Sequence, residues 1–259
     1  MRLDYSTWDA KKRIVDYLKA MEKVDILTIA AHPDDVELSC SGTLIKSIEA
    51  GKTVGICDLT QGELGTRGSA EIRLQEARIA QGIIGAAFRI NLGMEDGFFQ
   101  VNRENQIKII EVIRACQPDI VLLNALVDRH PDHVKGAELQ KTACFLSGLR
   151  KLETEYNGEQ QECWRPNLVL HTIQDRFMKP TIVVDVTSSW DKKMEAIKAF
   201  SSQFYDPKSS EPESMISGEG FLKNILGRGR DMGRLIHAEY GEGFVSERPV
   251  GIADLTLLQ

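Results

Sequence analysis

The sequence predicts an α/β fold, a Rossmann-like doubly wound and mainly parallel sheet in the strand order 3-2-1-4-5, flanked by helices. Three observations carry that expectation. Residues 24–30, 53–59, 88–92 and 119–124 are short runs rich in apolar and β-branched residues without polar alternation, the pattern of strands buried on both faces. Between them, 36–50, 69–84 and 103–115 carry apolar residues at helical spacing, and strands that alternate with helices build a parallel sheet. Right-handed crossovers then set the first and fourth strands side by side, at the switch point where open sheets of this kind bind ligands.

Taken in order, residues 9–22 show helix periodicity through Ile14, Leu18 and Met21. The first strand ends abruptly in His32-Pro-Asp34-Asp35, where Pro33 fixes its own φ and biases His32 away from helical geometry. A helix over 36–50 turns Leu38, Leu44, Ile45 and Ile48 inward and stops at Gly51. The second strand runs into a glycine-rich loop, Thr60-Gln-Gly-Glu-Leu-Gly-Thr-Arg67-Gly, before the helix 69–84. After the fourth strand comes Arg129-His130-Pro131-Asp132-His133, opening a helix over 133–149. A polar stretch at 153–161, strands near 168–172 and 181–186 and a helix over 188–200 complete the core. Residues 206–220 read as a mobile loop. The tail holds Gly227-Arg-Gly-Arg-Asp-Met-Gly-Arg234, a solvated basic helix face or a lid or subunit contact that brings arginines near an anionic substrate. His171 and His237 read as structural. The whole, 1–259, is expected to be one domain with 207–259 as a C-terminal loop and helical appendage.

Composition excludes several classes. The net charge is -6, from 32 basic and 38 acidic residues without a basic block, which argues against a nucleic-acid partner. No uninterrupted apolar segment reaches membrane-spanning length, and the N-terminus lacks the apolar core of a signal peptide, so neither a membrane partner nor export is expected and a cytoplasmic protein is. Cys40, Cys57, Cys116, Cys144 and Cys163 are scattered and mostly within apolar patterns, as buried reduced thiols are.

The two polar clusters carry the chemistry. Either Asp34 or Asp35 alone would be read as a helix cap. One imidazole and two carboxylates at the end of a buried strand ask for more. His130 and His133, flanking Pro131-Asp132 after the fourth strand, supply two further imidazoles. Two histidines and a carboxylate are a common ligand set of catalytic zinc, leaving a position open for water.

Ala31-His32-Pro-Asp34-Asp35 followed by His130-Pro-Asp132-His133 resembles the PIG-L/LmbE superfamily of zinc-dependent N-acetylglucosaminide deacetylases, over about residues 24–206. Within it the sequence is most similar to the deacetylases of bacillithiol biosynthesis, which act on N-acetylglucosaminyl-L-malate. Leu92-Gly-Met-Glu-Asp96-Gly-Phe-Phe and Phe204-Tyr-Asp-Pro207 support the likeness, and Ser39-Cys-Ser-Gly-Thr43, where relatives carry more glycine, departs from it. The resemblance implies His32, Asp35 and His133 as ligands of zinc, with ferrous iron as the other candidate ion. It implies Asp34 as general base and a protonated His130 as the group that stabilises the oxyanion. Asp132 either orients His130 or caps the following helix. Arg67, Asp96 and Arg129 are the implied substrate-binding residues for a small-molecule N-acetylglucosaminide, and a homo-oligomer is the expected assembly. A deacetylase or amidase for another N-acetyl sugar conjugate, or a sugar- or nucleotide-binding module without catalysis, are the alternatives.

Overall fold

The computed structural model describes residues 23–207 and 209–257, so the helix expected over 9–22 lies outside the described residues. The chain runs β1 (Ile26–Ala30), α1 (Asp35–Ser39), α2 (Ser41–Glu49), β2 (Val54–Thr60), α3 (Ala70–Ile84), β3 (Phe88–Met94), α4 (Arg103–Cys116), β4 (Ile120–Leu123) and α5 (Pro131–Leu146). A small hairpin follows, β5 (Glu155–Tyr156) and β6 (Glu159–Gln160), then β7 (Leu168–Thr172), β8 (Ile182–Asp185), α6 (Trp190–Lys198), α7 (Glu219–Arg234) and β9 (Gly241–Val245).

The main sheet has the order β3-β2-β1-β4-β7-β9-β8, in which the first five strands are parallel and β9 runs antiparallel to both neighbours. The expected doubly wound core is therefore present, with β7 in fifth place. Every residue of β1 and β2 is buried, which is why neither strand shows polar alternation. Leu27 and Ile29 face a core shared with Ile109 and Ile113 of α4 and Leu139 of α5. On the other face Ile26 and Ile56 pack with Leu44 and Ile45 of α2. None of the described helices is long and apolar enough to cross a membrane.

Two differences from the expected elements have physical causes. First, the tail is not an appendage alone: β9 sits inside the sheet between β7 and β8. Its sequence, Gly-Glu-Gly-Phe-Val, is poor in strand formers because α7 crosses it closely. A Cβ on Gly233 of α7 would lie 2.7 Å from the Ala238 carbonyl oxygen and 2.8 Å from the Tyr240 nitrogen. Gly233→Ala is thus expected to destabilise the fold by about 1–3 kcal/mol. An unchanged denaturant midpoint would show that the turn between helix and strand can give way freely.

Second, the helix expected over 36–50 is broken at Cys40, with φ -145° and ψ 4°. In a continuous helix Gly42 N would donate to Leu38 O. Here Gly42 N donates to Glu242 Oε1 of β9 at 3.0 Å, and Lys193 Nζ of α6 donates to Leu38 O at 3.0 Å. Lys193 and Glu242 close the bridge between them at 2.6 Å, both buried. An ion pair thus takes the place of one helical rung. Thr43 adds its backbone N–H at 2.7 Å and its hydroxyl at 2.6 Å to Glu242 Oε2.

Candidate active site

Because β1 and β4 are paired neighbours, the two polar clusters that follow them meet. Asp34 stands at φ 114°, a left-handed conformation that costs energy for any residue with a Cβ and persists only when its surroundings hold it. Part of the hold is Arg73 of α3, which donates to Asp34 Oδ2 at 2.8 Å and to the Gly62 carbonyl at 3.1 Å. Burial pushes the Asp34 carboxyl above its ordinary range, with the Arg73 guanidinium opposing it.

Asp35 presents a different oxygen to each of two imidazoles. Its Oδ2 lies 3.4 Å from His32 Nδ1 and its Oδ1 3.0 Å from His133 Nε2. Each oxygen is also held by a hydrogen bond from the protein, Oδ2 from His32 N at 2.9 Å and Oδ1 from Gln174 Nε2 at 2.7 Å. The outward nitrogens of the two rings face carboxylates in turn. His32 Nε2 is 3.0 Å from Asp96 and 3.4 Å from Asp132, and His133 Nδ1 is 3.4 Å from Asp128. Burial opposes a charge on His32, but Asp132, Asp35 and Asp96 together outweigh it and hold its pKa well above the ordinary value. The same contest on His133, burial against Asp35 and Asp128, leaves it raised to about 9.

His130 completes the group, its ring centroid 4.7 Å from that of His32 and 5.1 Å from that of His133. It caps α5: its Nδ1 accepts from Asp132 N at 3.3 Å, with Pro131 in the first turn. The protonated ring expected here is not favoured: burial, then the neighbouring imidazoles, push it down to about 4, so a neutral ring with Nδ1 as acceptor carries its proton on Nε2.

Nine residues were expected here, and the structure gathers seven. His32, Asp34, Asp35, Asp96, His130, Asp132 and His133 share one cluster. Of its two expected roles Asp132 does not fill that of helix cap, which is His130; it touches His130 through its own N–H, while its carboxylate accepts from Gly97 N at 2.8 Å and Lys135 Nζ at 3.0 Å and faces His32. Arg129 is exposed beside the cluster, 3.6 Å from Asp175. Arg67 points elsewhere. Its guanidinium donates to Ser202 O at 2.8 Å, Ser209 Oγ at 2.6 Å and Pro212 O at 3.4 Å, latching the 202–212 segment to the loop after β2. The guanidinium that reaches the cluster is Arg73. It escaped the sequence reading although it lies on the inward stripe of α3 with Ala77, Ala80 and Ile84, where a buried charge signals a task. Asp128 and Gln174 also escaped, each a single polar residue in a loop.

The donor set fits a divalent cation. Nitrogen and oxygen atoms of His32, His130 and His133, and of His32, Asp96 and Asp132, lie within 4.8 Å of one another in each group. Five carboxylates, Asp34, Asp35, Asp96, Asp128 and Asp132, stand against the cations Arg73 and Lys135 and draw the His32 and His133 rings toward their charged forms, a charge that a bound cation would supply instead. Buried His133 Nδ1 and Gln174 Oε1 lack a well-formed hydrogen bond among the described residues. Imidazole and carboxylate together suit zinc and iron.

A doubly wound sheet with this cluster at its switch point defines a ligand site that can hold a metal ion. The PIG-L family, described as GlcNAc-PI de-N-acetylase, matches residues 27–144. The uncharacterized deacetylase YaiS of Escherichia coli K12 is 30% identical over 131 residues, 48% of this chain and 70% of YaiS. The diacetylchitobiose deacetylase of Thermococcus kodakarensis is 28% identical over 197 residues, 69% of this chain and 70% of that one. The crystal structure of the conserved protein TT1542 from Thermus thermophilus superposes with a TM-score of 0.79 at 32% identity, covering 90% of this chain and 98% of that one. The chain belongs to the PIG-L family and is an enzyme of its amide-hydrolysing, deacetylase kind.

Proposed function

We propose that the protein removes the acetyl group from an N-acetylglucosamine conjugate, N-acetylglucosaminyl-L-malate of bacillithiol biosynthesis, giving glucosaminyl-malate and acetate. The observation that carries the chemistry is Asp35 set between His32 and His133 with Asp34 beside it. In this reading His32, Asp35 and His133 hold the ion, zinc or ferrous iron. A bound ion supplies Lewis acidity toward a water molecule and the amide carbonyl. Asp34 takes the water's proton and returns it to the departing amine, a task that a carboxylate raised by burial and steadied by Arg73 can perform in both directions. Neutral His130 donates from Nε2 to the oxyanion. In the same reading Asp96, whose Oδ2 accepts from Leu64 N at 3.0 Å, binds the sugar hydroxyls, and Arg129 the aglycone.

Asp128 and Gln174 support the ligands from behind, and their loss should loosen metal more than fold. Asp128→Asn and Gln174→Leu are each expected to weaken zinc affinity by about 10- to 100-fold in chelator competition. Unchanged affinity in both would remove them from the metal's support.

The function itself is tested by amine release from metal-stripped protein reconstituted with zinc, comparing N-acetylglucosaminyl-L-malate with N-acetylglucosamine and N,N'-diacetylchitobiose. Zinc-dependent preference for the malate conjugate is expected. Preference for another sugar would keep the deacetylase and discard the pathway, and metal binding without turnover on any of the three would favour a binding module.

A further inference from the structure

A cleft of about 330 Å3 lies between the loop after β7 and helix α7, lined in part by Asp175, Phe177, Lys223, Arg228 and Asp231. Its Asp175 end is tied to the catalytic cluster through the loop after β7. Gln174 bonds Asp35, the next residue's N–H donates to Asp128 Oδ2 at 3.1 Å, and that same oxygen is 3.4 Å from His133. The reaction outlined above gives the cleft no work.

At the end nearest the cluster the opposite charges face one another without close contact. The Asp175 carboxylate stands between two guanidiniums without a close bond to either, 3.6 Å from Arg129 Nε and 3.9 Å from Arg228 Nη2. Farther along α7, Lys223 pairs with Glu219 at 3.1 Å and Asp231 contributes one negative charge. Arg228 is half-buried, and among the described residues its one hydrogen bond is Nη2 to the Asp175 carbonyl at 3.2 Å. A guanidinium carries five N–H donors in a fork that matches a carboxylate. Most of that fork is therefore open to a ligand. Burial already disfavours the charge on Arg228 and lowers its pKa, with Asp175 and Asp128 only partly restoring it. A guanidinium that has lost water and lacks a bonded counter-charge gains from an incoming anion. Phe177, 74% exposed, forms an apolar wall beside it.

We infer that this cleft is the aglycone subsite and that Arg228, closing from α7 opposite Arg129, selects an aglycone that carries a carboxylate. The inference rests on the deacetylase reading and deepens it. It gives the basic tail motif a site: of its arginines, Arg228 faces the cleft, whereas Arg230 lies 3.8 Å from Glu239.

The test uses the full-length, zinc-loaded protein and two amines that it cannot deacetylate, glucosaminyl-L-malate and methyl glucosaminide, titrated calorimetrically. Wild type is expected to prefer the malate conjugate. Arg228→Gln should lower the ratio of the two affinities at least tenfold, and Arg228→Lys, which keeps charge and loses the fork, should fall between. The preference should shrink as salt rises. Equal losses on both ligands in Arg228→Gln, or no loss on either, would overturn the inference and leave Arg228 as a tie between α7 and the loop after β7. Matching unfolding midpoints for the three proteins guard against a folding defect. Acetate release from the N-acetyl forms is measured in parallel: silence on both sinks the deacetylase reading, while the calorimetric ratio still decides whether the cleft selects an anion.

Discussion

Asp34→Asn is expected to bind zinc as wild type does and to lose roughly 10²- to 10⁴-fold in kcat. The amide is isosteric with the carboxylate, and its oxygen can still accept from Arg73, which now donates to Asp34 Oδ2 at 2.8 Å. What it cannot do is take a proton from water. Asp35→Asn makes the opposite change, since Asp35 faces both imidazoles and should cost the metal itself. Metal content and kcat of the two variants therefore separate the roles. Should Asp34→Asn arrive without metal while Asp35→Asn retains it, base and ligand are exchanged.

Lys193→Met should destabilise the protein by about 3–5 kcal/mol, because removing one member of a buried ion pair leaves the other uncompensated. The usual remedy, replacing both members with apolar residues, should fail here. Glu242 also accepts from Gly42 N, Thr43 N and Thr43 Oγ1, and Lys193 donates to Leu38 O. A Lys193→Met/Glu242→Leu double variant orphans those groups, and each buried unsatisfied donor or acceptor costs about 1–3 kcal/mol. Urea denaturation of the single and double variants decides it: a double variant restored to wild-type stability would mean that α1 and α2 can rejoin as one helix without the pair.

The parts of this molecule that were legible in its sequence are those set by local pattern. β1 and β2 are buried throughout, and unbroken apolar runs said so. The cluster was legible because it is compressed into two short motifs at strand ends. β9 was not, since two glycines needed for the crossing of α7 erase its strand signature. The break at Cys40 was not, because its cause is a glutamate 200 residues away. Arg67 misled for the converse reason: a glycine-rich loop at the right sheet edge looks the same whether its arginine faces substrate or, as here, fastens Ser202, Ser209 and Pro212. The residues behind the ligands, Asp128 and Gln174, have no pattern of their own and become visible only when the loops after β4 and β7 lie side by side.

The missing helical rung at Leu38 and Gly42 also sets an order of events in time. Helix α1 carries Asp35, yet the groups that complete its junction with α2 arrive with α6 and β9. Local contacts form early and distant ones late. A chain growing from its N-terminus can therefore assemble β1 to β4 and the three imidazoles well before the junction closes. Until residue 242 is delivered, Gly42 N and Thr43 lack the carboxylate they bond in the folded chain, so the helix bearing a candidate metal ligand gains its last partners long after its own residues are made.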